Sequence, residues 1–123
     1  MWGNLLAVAG GGAIGAVLRH GVMLGIARGA FPWATLLVNV SGSLLFGFLA
    51  IWLNERLPVA ADLRAFLFVG VLGAFTTFST FSWDTFVLLQ EGAVMRAGMN
   101  VVANVAMCLL AAAAGVWLAR QLL

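Results

Sequence analysis

The chain has no lysine and no tyrosine, and only one cysteine, one histidine, two prolines and four carboxylates among 123 residues. Charged residues make up 8% of it, where a soluble domain carries about 25%. So little charge cannot coat a water-facing surface, which excludes an ordinary soluble domain and makes lipid the expected solvent. The single Cys108 excludes an intrachain disulfide and a cysteine-rich metal cluster. It falls in an apolar run and is expected to pack as a small hydrophobe. Six scattered arginines and a net charge of +2 form no basic patch, so nucleic-acid binding has no footprint. His20 has no metal-binding companions, and neither a glycine-rich phosphate loop nor a nucleophile motif is present, so enzyme chemistry finds no support.

What is present is aliphatic: 64% of the chain is hydrophobic, and that content recurs from end to end. A membrane-spanning helix needs roughly 20 apolar residues. The first such stretch runs from about Trp2 to Ile26 and holds the spacings Gly11-x-x-x-Gly15 and Gly21-x-x-x-Gly25, which let another helix approach closely. The second lies between Arg28 and Glu55, with Pro32 placed in its first turn and Trp33 and Trp52 near its ends as interfacial anchors. Asn54-Glu55-Arg56-Leu57-Pro58 reads as a water-exposed connection. The third span starts near Leu63 and runs through Trp83 toward Gln90; the fourth covers Ala97 to Ala119. The expected architecture is an all-α membrane protein of four spanning helices with short loops, one domain over residues 1–123.

Four spans put both termini on one side, with Arg56, Arg64 and Arg120; the other side has Arg28 and Arg96, plus Arg19 if it reaches the surface. Such a balance gives almost no positive-inside bias. Either both orientations are inserted, and two opposed copies pair about a two-fold axis in the membrane plane, or another signal sets one orientation. Four short helices pack solid, so a polar path requires a second copy.

One stretch breaks the aliphatic pattern. Within the third span, Thr76, Thr77, Ser79, Thr80 and Ser82 interleave with Phe75, Phe78 and Phe81, just after Gly70 and Gly73. Glycines weaken a helix, and unwinding there frees backbone carbonyls at membrane depth, where a cation could meet them. Alternatively the hydroxyls bond back to the preceding turn and the helix only bends. A phenyl ring has a negative face and a positive edge, so the three phenylalanines either favour a small anion or simply pack. Asn39 and Ser43 share a face of the second span, and Asn100, Asn104 and Cys108 form a thin polar stripe on the fourth; each is a pathway candidate or a helix contact. Arg19, flanked by apolar residues, either snorkels to the interface or raises the anion concentration at a pore mouth. A rival class, a small drug/proton antiporter, needs a titratable group in the membrane, and the first, second and fourth spans contain none.

Gly73-Ala74-Phe75-Thr76-Thr77-Phe78-Ser79-Thr80-Phe81-Ser82 closely resembles the signature of the Fluc, or CrcB, family of fluoride channels, near G-G-x-T-T-F-S-T-F-S. Gly10-Gly11-Gly12-x-x-Gly15-x-x-x-Arg19 and Thr35-Leu36-x-Val38-Asn39-x-x-Gly42-Ser43 are similar to its first- and second-span motifs, so the resemblance covers essentially the whole chain. It implies a fluoride-specific channel in the bacterial inner membrane, an antiparallel homodimer with a broken third helix, passing fluoride passively outward. It further implies that Phe78 and Phe81 turn ring edges to fluoride, that Asn39 is the pore asparagine, that Ser79 and Thr80 form a hydroxyl track, and that Arg19 lies near the vestibule. Gly73 and Thr76 match positions whose carbonyls, two from each subunit, hold a structural sodium ion. The chain departs from the family pattern at Ala74, where glycine is usual, in lacking any tyrosine, and at Asn104 and Cys108, where small hydroxyl residues are common.

Overall fold

The computed structural model describes residues 1–57 and 59–122. Pro58, in the expected first connection, lies outside them. The described residues are helical with no strand, and four segments are long and apolar enough to cross a membrane. These are α1 (Trp2–Gly25), α2 (Trp33–Glu55), a composite third span over Ala61–Gln90, and a last helix over Val94–Gln121. Pro32 precedes α2 instead of lying in its first turn; its ψ of 65° is not helical, and the chain winds only from Trp33.

The third span is assembled from four pieces. Helix α3 (Ala61–Arg64) leads into a π-helix (Ala65–Leu72), a single α turn, α4 (Gly73–Phe75), follows, and α5 (Phe78–Gln90) resumes after a gap; the last helix is α6 (Val94–Gln121). The break falls at Thr76 and Thr77, which are extended, with ψ of 157° at Thr76 and φ of −153° at Thr77. It does not fall at the glycines expected to cause it. Gly70 is π-helical and Gly73 α-helical. Gly70 instead serves packing: a Cβ there would stand 2.8 Å from the Gly11 Cα.

That contact explains half of the small-residue spacing in α1. Gly11 and Gly15 are buried, and side chains at either would run into the backbone of Phe66 or Val71. Gly21 and Gly25 meet nothing within 4 Å. In the other half of the molecule α2 lies along α6, with Gly47 against the Ala112 backbone and Gly115 against Leu44 and Phe48. Close backbone approach replaces the hydrophobic effect as the glue, because lipid tails are as apolar as the side chains. Large apolar residues such as Leu6, Val17, Val102 and Leu110 stay exposed, as a lipid-facing surface requires.

Substituting Gly11→Ala forces the π-helix away from α1 and lowers stability by about 1–3 kcal/mol; Gly21→Ala shifts it by no more than about 0.5 kcal/mol. Tryptophan-fluorescence unfolding of the two variants in detergent micelles checks the difference.

Candidate functional site

The break is held from outside the third span. The Asn39 side chain of α2 accepts the Thr77 N–H at 2.7 Å and donates to the Thr77 carbonyl at 3.1 Å. One amide thereby satisfies both backbone groups of a residue outside any helix, which in the membrane interior cannot be left unpaired. The Thr77 N–H is the group that an unbroken helix would direct to the Gly73 carbonyl, so the Asn39 bond frees that carbonyl. Thr76 meets a different partner: Arg19 Nη1 lies 3.4 Å from its carbonyl oxygen.

Thr77 also starts the next helix. Its Oγ1 accepts the Thr80 N–H at 3.2 Å, a hydroxyl N-cap for α5, and donates to Thr80 Oγ1 at 3.0 Å. Ser79 Oγ lies 3.3 Å from the same hydroxyl. The positive end of a 13-residue helix thus sits at membrane depth, beside the first of the two phenylalanines. Phe78 and Phe81 make an edge-on pair, centroids 5.2 Å apart at 62°. Phe81 is buried whereas Phe78 is 76% exposed. Phe75 does not share their stripe, because the break intervenes; it stands instead beside Gly42, with Thr76.

Two clefts meet across this cap. A deep one, about 440 Å³, is lined by Phe78 and Phe81 together with Asn39, Ser43, Thr77, Asn104 and Cys108. A second, about 570 Å³, opens at the end where α1 finishes and α2 begins, and Thr35, Thr80, Asp84, Arg28 and Glu91 line it. The Thr77–Thr80 hydroxyl bond spans from the wall of one to the wall of the other. Asp84 accepts from the Thr35 hydroxyl at 2.6 Å, tying α5 to α2 at that mouth.

The structure therefore brings Asn39, Phe78 and Phe81 together in one cleft and puts Thr80 in the other. Arg19 and Ser79 line neither; Arg19 reaches the break from α1. Thr77, Thr35 and Asp84 were not singled out from the sequence. The Thr77-x-x-Thr80 spacing, a hydroxyl three residues ahead of a helical N–H, was the signal for the cap. Elsewhere the hydroxyls do bond back: Thr76, Ser82 and Thr85 each donate to a carbonyl four residues earlier. Bending contacts and a true break coexist in the same span.

The geometry defines a multi-pass helical membrane protein in which an interrupted span lines a cleft with aromatic edges. A family model described as CrcB-like protein, Camphor Resistance (CrcB), matches residues 6–116. The chain belongs to this family. It is similar to proteins named fluoride-specific ion channel FluC from Rhizobium meliloti (strain 1021) and from Geobacter sulfurreducens, each 46% identical and covering 97% of this chain and 98% of the relative. A FluC protein from Methylococcus capsulatus is 47% identical over 97% of this chain, which spans about half, 54%, of that longer relative. These relatives are named as ion channels, not enzymes.

Thr77→Val removes the cap and lowers stability by about 1–2 kcal/mol, whereas Thr77→Ser keeps it within a few tenths. Thermal melting of the purified variants, compared in one detergent, reads the gap between them.

Proposed function

We propose that the chain is a fluoride channel that lets fluoride leave the cytoplasm passively, down its electrochemical gradient. The observation that carries this reading is the edge-on pair of Phe78 and Phe81 in a cleft at membrane depth, beside the N-terminus of α5. A small anion entering a dry slot loses its water and needs positive partial charge in return. Ring edges and a helix N-terminus provide it without a full positive charge that would trap the ion. The names of the FluC relatives supply the anion. The path runs from the outer cleft, past Thr80 and the neighbouring Ser79, to the deep cleft walled by Asn39, Phe78 and Phe81. Arg19 adds positive charge beside the break.

The exposure of Phe78 supports a second copy: in one chain the deep cleft has no far wall there. An antiparallel homodimer, inserted in both orientations in the bacterial inner membrane, closes it. With Arg19 turned to the break, the arginines divide three against two between the faces, which leaves orientation nearly unbiased.

The carbonyls of Gly73 and Thr76 fit a sodium ion. The first has lost its helical N–H to the Asn39 bond, and both are hard oxygens of the kind alkali and alkaline-earth cations prefer. Two copies would offer four such oxygens, and the ion would neutralise them at membrane depth. Dimers kept in sodium then melt above dimers in N-methylglucamine; equal melting in both would remove the ion from this account.

Liposome efflux followed with a fluoride electrode tests the function. Wild-type protein releases fluoride and holds back chloride. Phe78→Ile and Phe81→Ile lower fluoride release by at least about tenfold, equivalent to about 1.4 kcal/mol, while the dimer remains on gel filtration. Wild-type release from either variant, or equal chloride and fluoride release from the parent, refutes the assignment.

A further inference from the structure

Asn39 belongs to a longer chain of hydrogen bonds, and the direction of that chain is determined at both ends. At one end the Phe81 carbonyl can only accept, and it accepts from the Thr85 hydroxyl at 2.8 Å. The Thr85 oxygen then accepts from Asn100 Nδ2 at 2.9 Å. That turns Asn100 Oδ1 toward Asn104, whose Nδ2 donates to it at 2.9 Å and to the Asn100 backbone oxygen at 3.0 Å. Asn104 Oδ1 accordingly faces Asn39 Nδ2, 3.0 Å away. At the other end the Thr77 N–H can only donate, and Asn39 Oδ1 accepts it. Turning over any one amide sets like groups against each other on both sides.

Both hydrogens of the Asn39 amide are thereby spent, one on Thr77 and one on Asn104. The same holds for the other oxygen- and nitrogen-bearing side chains of the deep cleft: Ser43 donates to the Asn39 carbonyl, Thr76 to Leu72, Thr77 to Thr80, and Asn104 twice to Asn100. Asn39, Asn100 and Asn104 are buried, with Asn100 at 0% exposure, so water does not compete for these bonds.

We propose that Asn104 and Asn100 are positioning residues. They take up the Asn39 hydrogen that otherwise faces the cleft and lock its amide as a clamp on the broken span. Asn39 then governs the anion path by placing Thr77 and, through it, Phe78 and Phe81; it does not donate to the anion. Asn100 does so without lining the cleft. The inference rests on the fluoride-channel reading.

The test is a sodium fluoride titration, with sodium chloride as control, of the purified dimer labelled with 15N-asparagine and ring-13C-phenylalanine. The Asn39 side-chain signal is assigned from its loss in Asn39→Ser. In wild-type protein the Phe81 ring signals move with fluoride while the Asn39 amide protons exchange slowly and stay in place. In Asn104→Leu and in Asn100→Leu the Asn39 amide becomes responsive to fluoride, and fluoride efflux from liposomes falls by roughly tenfold, the equivalent of one buried hydrogen bond. A large downfield shift of the wild-type Asn39 protons on adding fluoride makes Asn39 a direct ligand and overturns the proposal. An Asn39 signal that behaves identically in wild type and in Asn104→Leu overturns it as well. Where the leucine variants fail to fold, the wild-type titration decides alone. If the Phe81 signals also ignore fluoride and liposomes release none, the channel reading fails; the clamp then stands or falls on slow Asn39 exchange in the parent.

Discussion

The two backbone groups of Thr77 are held by one side chain, Asn39, and the remainder of the site depends on that grip. An interrupted helix in a membrane leaves N–H and C=O groups where no water can reach them. Asn39 supplies a donor and an acceptor at the spacing of a peptide group, so it substitutes for a missing strand or helix neighbour at that single residue. Three consequences follow at once. The Gly73 carbonyl loses its ordinary partner, the Thr77 hydroxyl is free to cap α5, and the helix that starts there points its positive end into the membrane interior. Phe78 and Phe81 are the first and fourth residues of that helix, so their placement follows from the position of its first turn.

The rest of the fold supports this junction from two sides. On one, α1 presses against the π-helix through Gly11, Gly15 and Gly70, fixing the first half of the third span. On the other, α2 and α6 interlock at Gly47 and Gly115, which keeps Asn39 and Asn104 at one level. The two halves of the broken span are thus positioned by different neighbours. The break is a joint between two packed units, and Arg19 spans it from α1 to the Thr76 carbonyl.

Much of this was legible in the residues. Four spans follow from uncharged runs of sufficient length, and their boundaries move by only a few residues: α6, for instance, begins at Val94 where the uncharged run begins at Ala97. The location of the break was less accessible. Gly70 and Gly73 suggested it by propensity, but in a helix packed backbone to backbone a glycine serves close approach as readily as unwinding, and sequence does not distinguish the two uses. The asparagine stripe was visible as an i, i+4 repeat; that it reaches Asn39 on another helix depends on the α2–α6 register, a tertiary fact. Asp84 stayed uninterpreted because its partner, Thr35, lies 49 positions away. Arg19 was expected at a mouth because it interrupts an apolar run, and the structure turns it inward instead.

The π-helix over Ala65–Leu72 has its own implication for how such a chain can change over time. Each residue of an α-helix turns the chain by about 100°, and a π-turn represents one residue more than an α-turn carries. Deleting a residue there, and tightening the turn to compensate, swings everything downstream about the helix axis. Thr77, Phe78 and Phe81 then leave the side that Asn39 faces. The span therefore tolerates replacement of its side chains far more easily than any alteration of its length, and insertions or losses are confined to the short connections outside it.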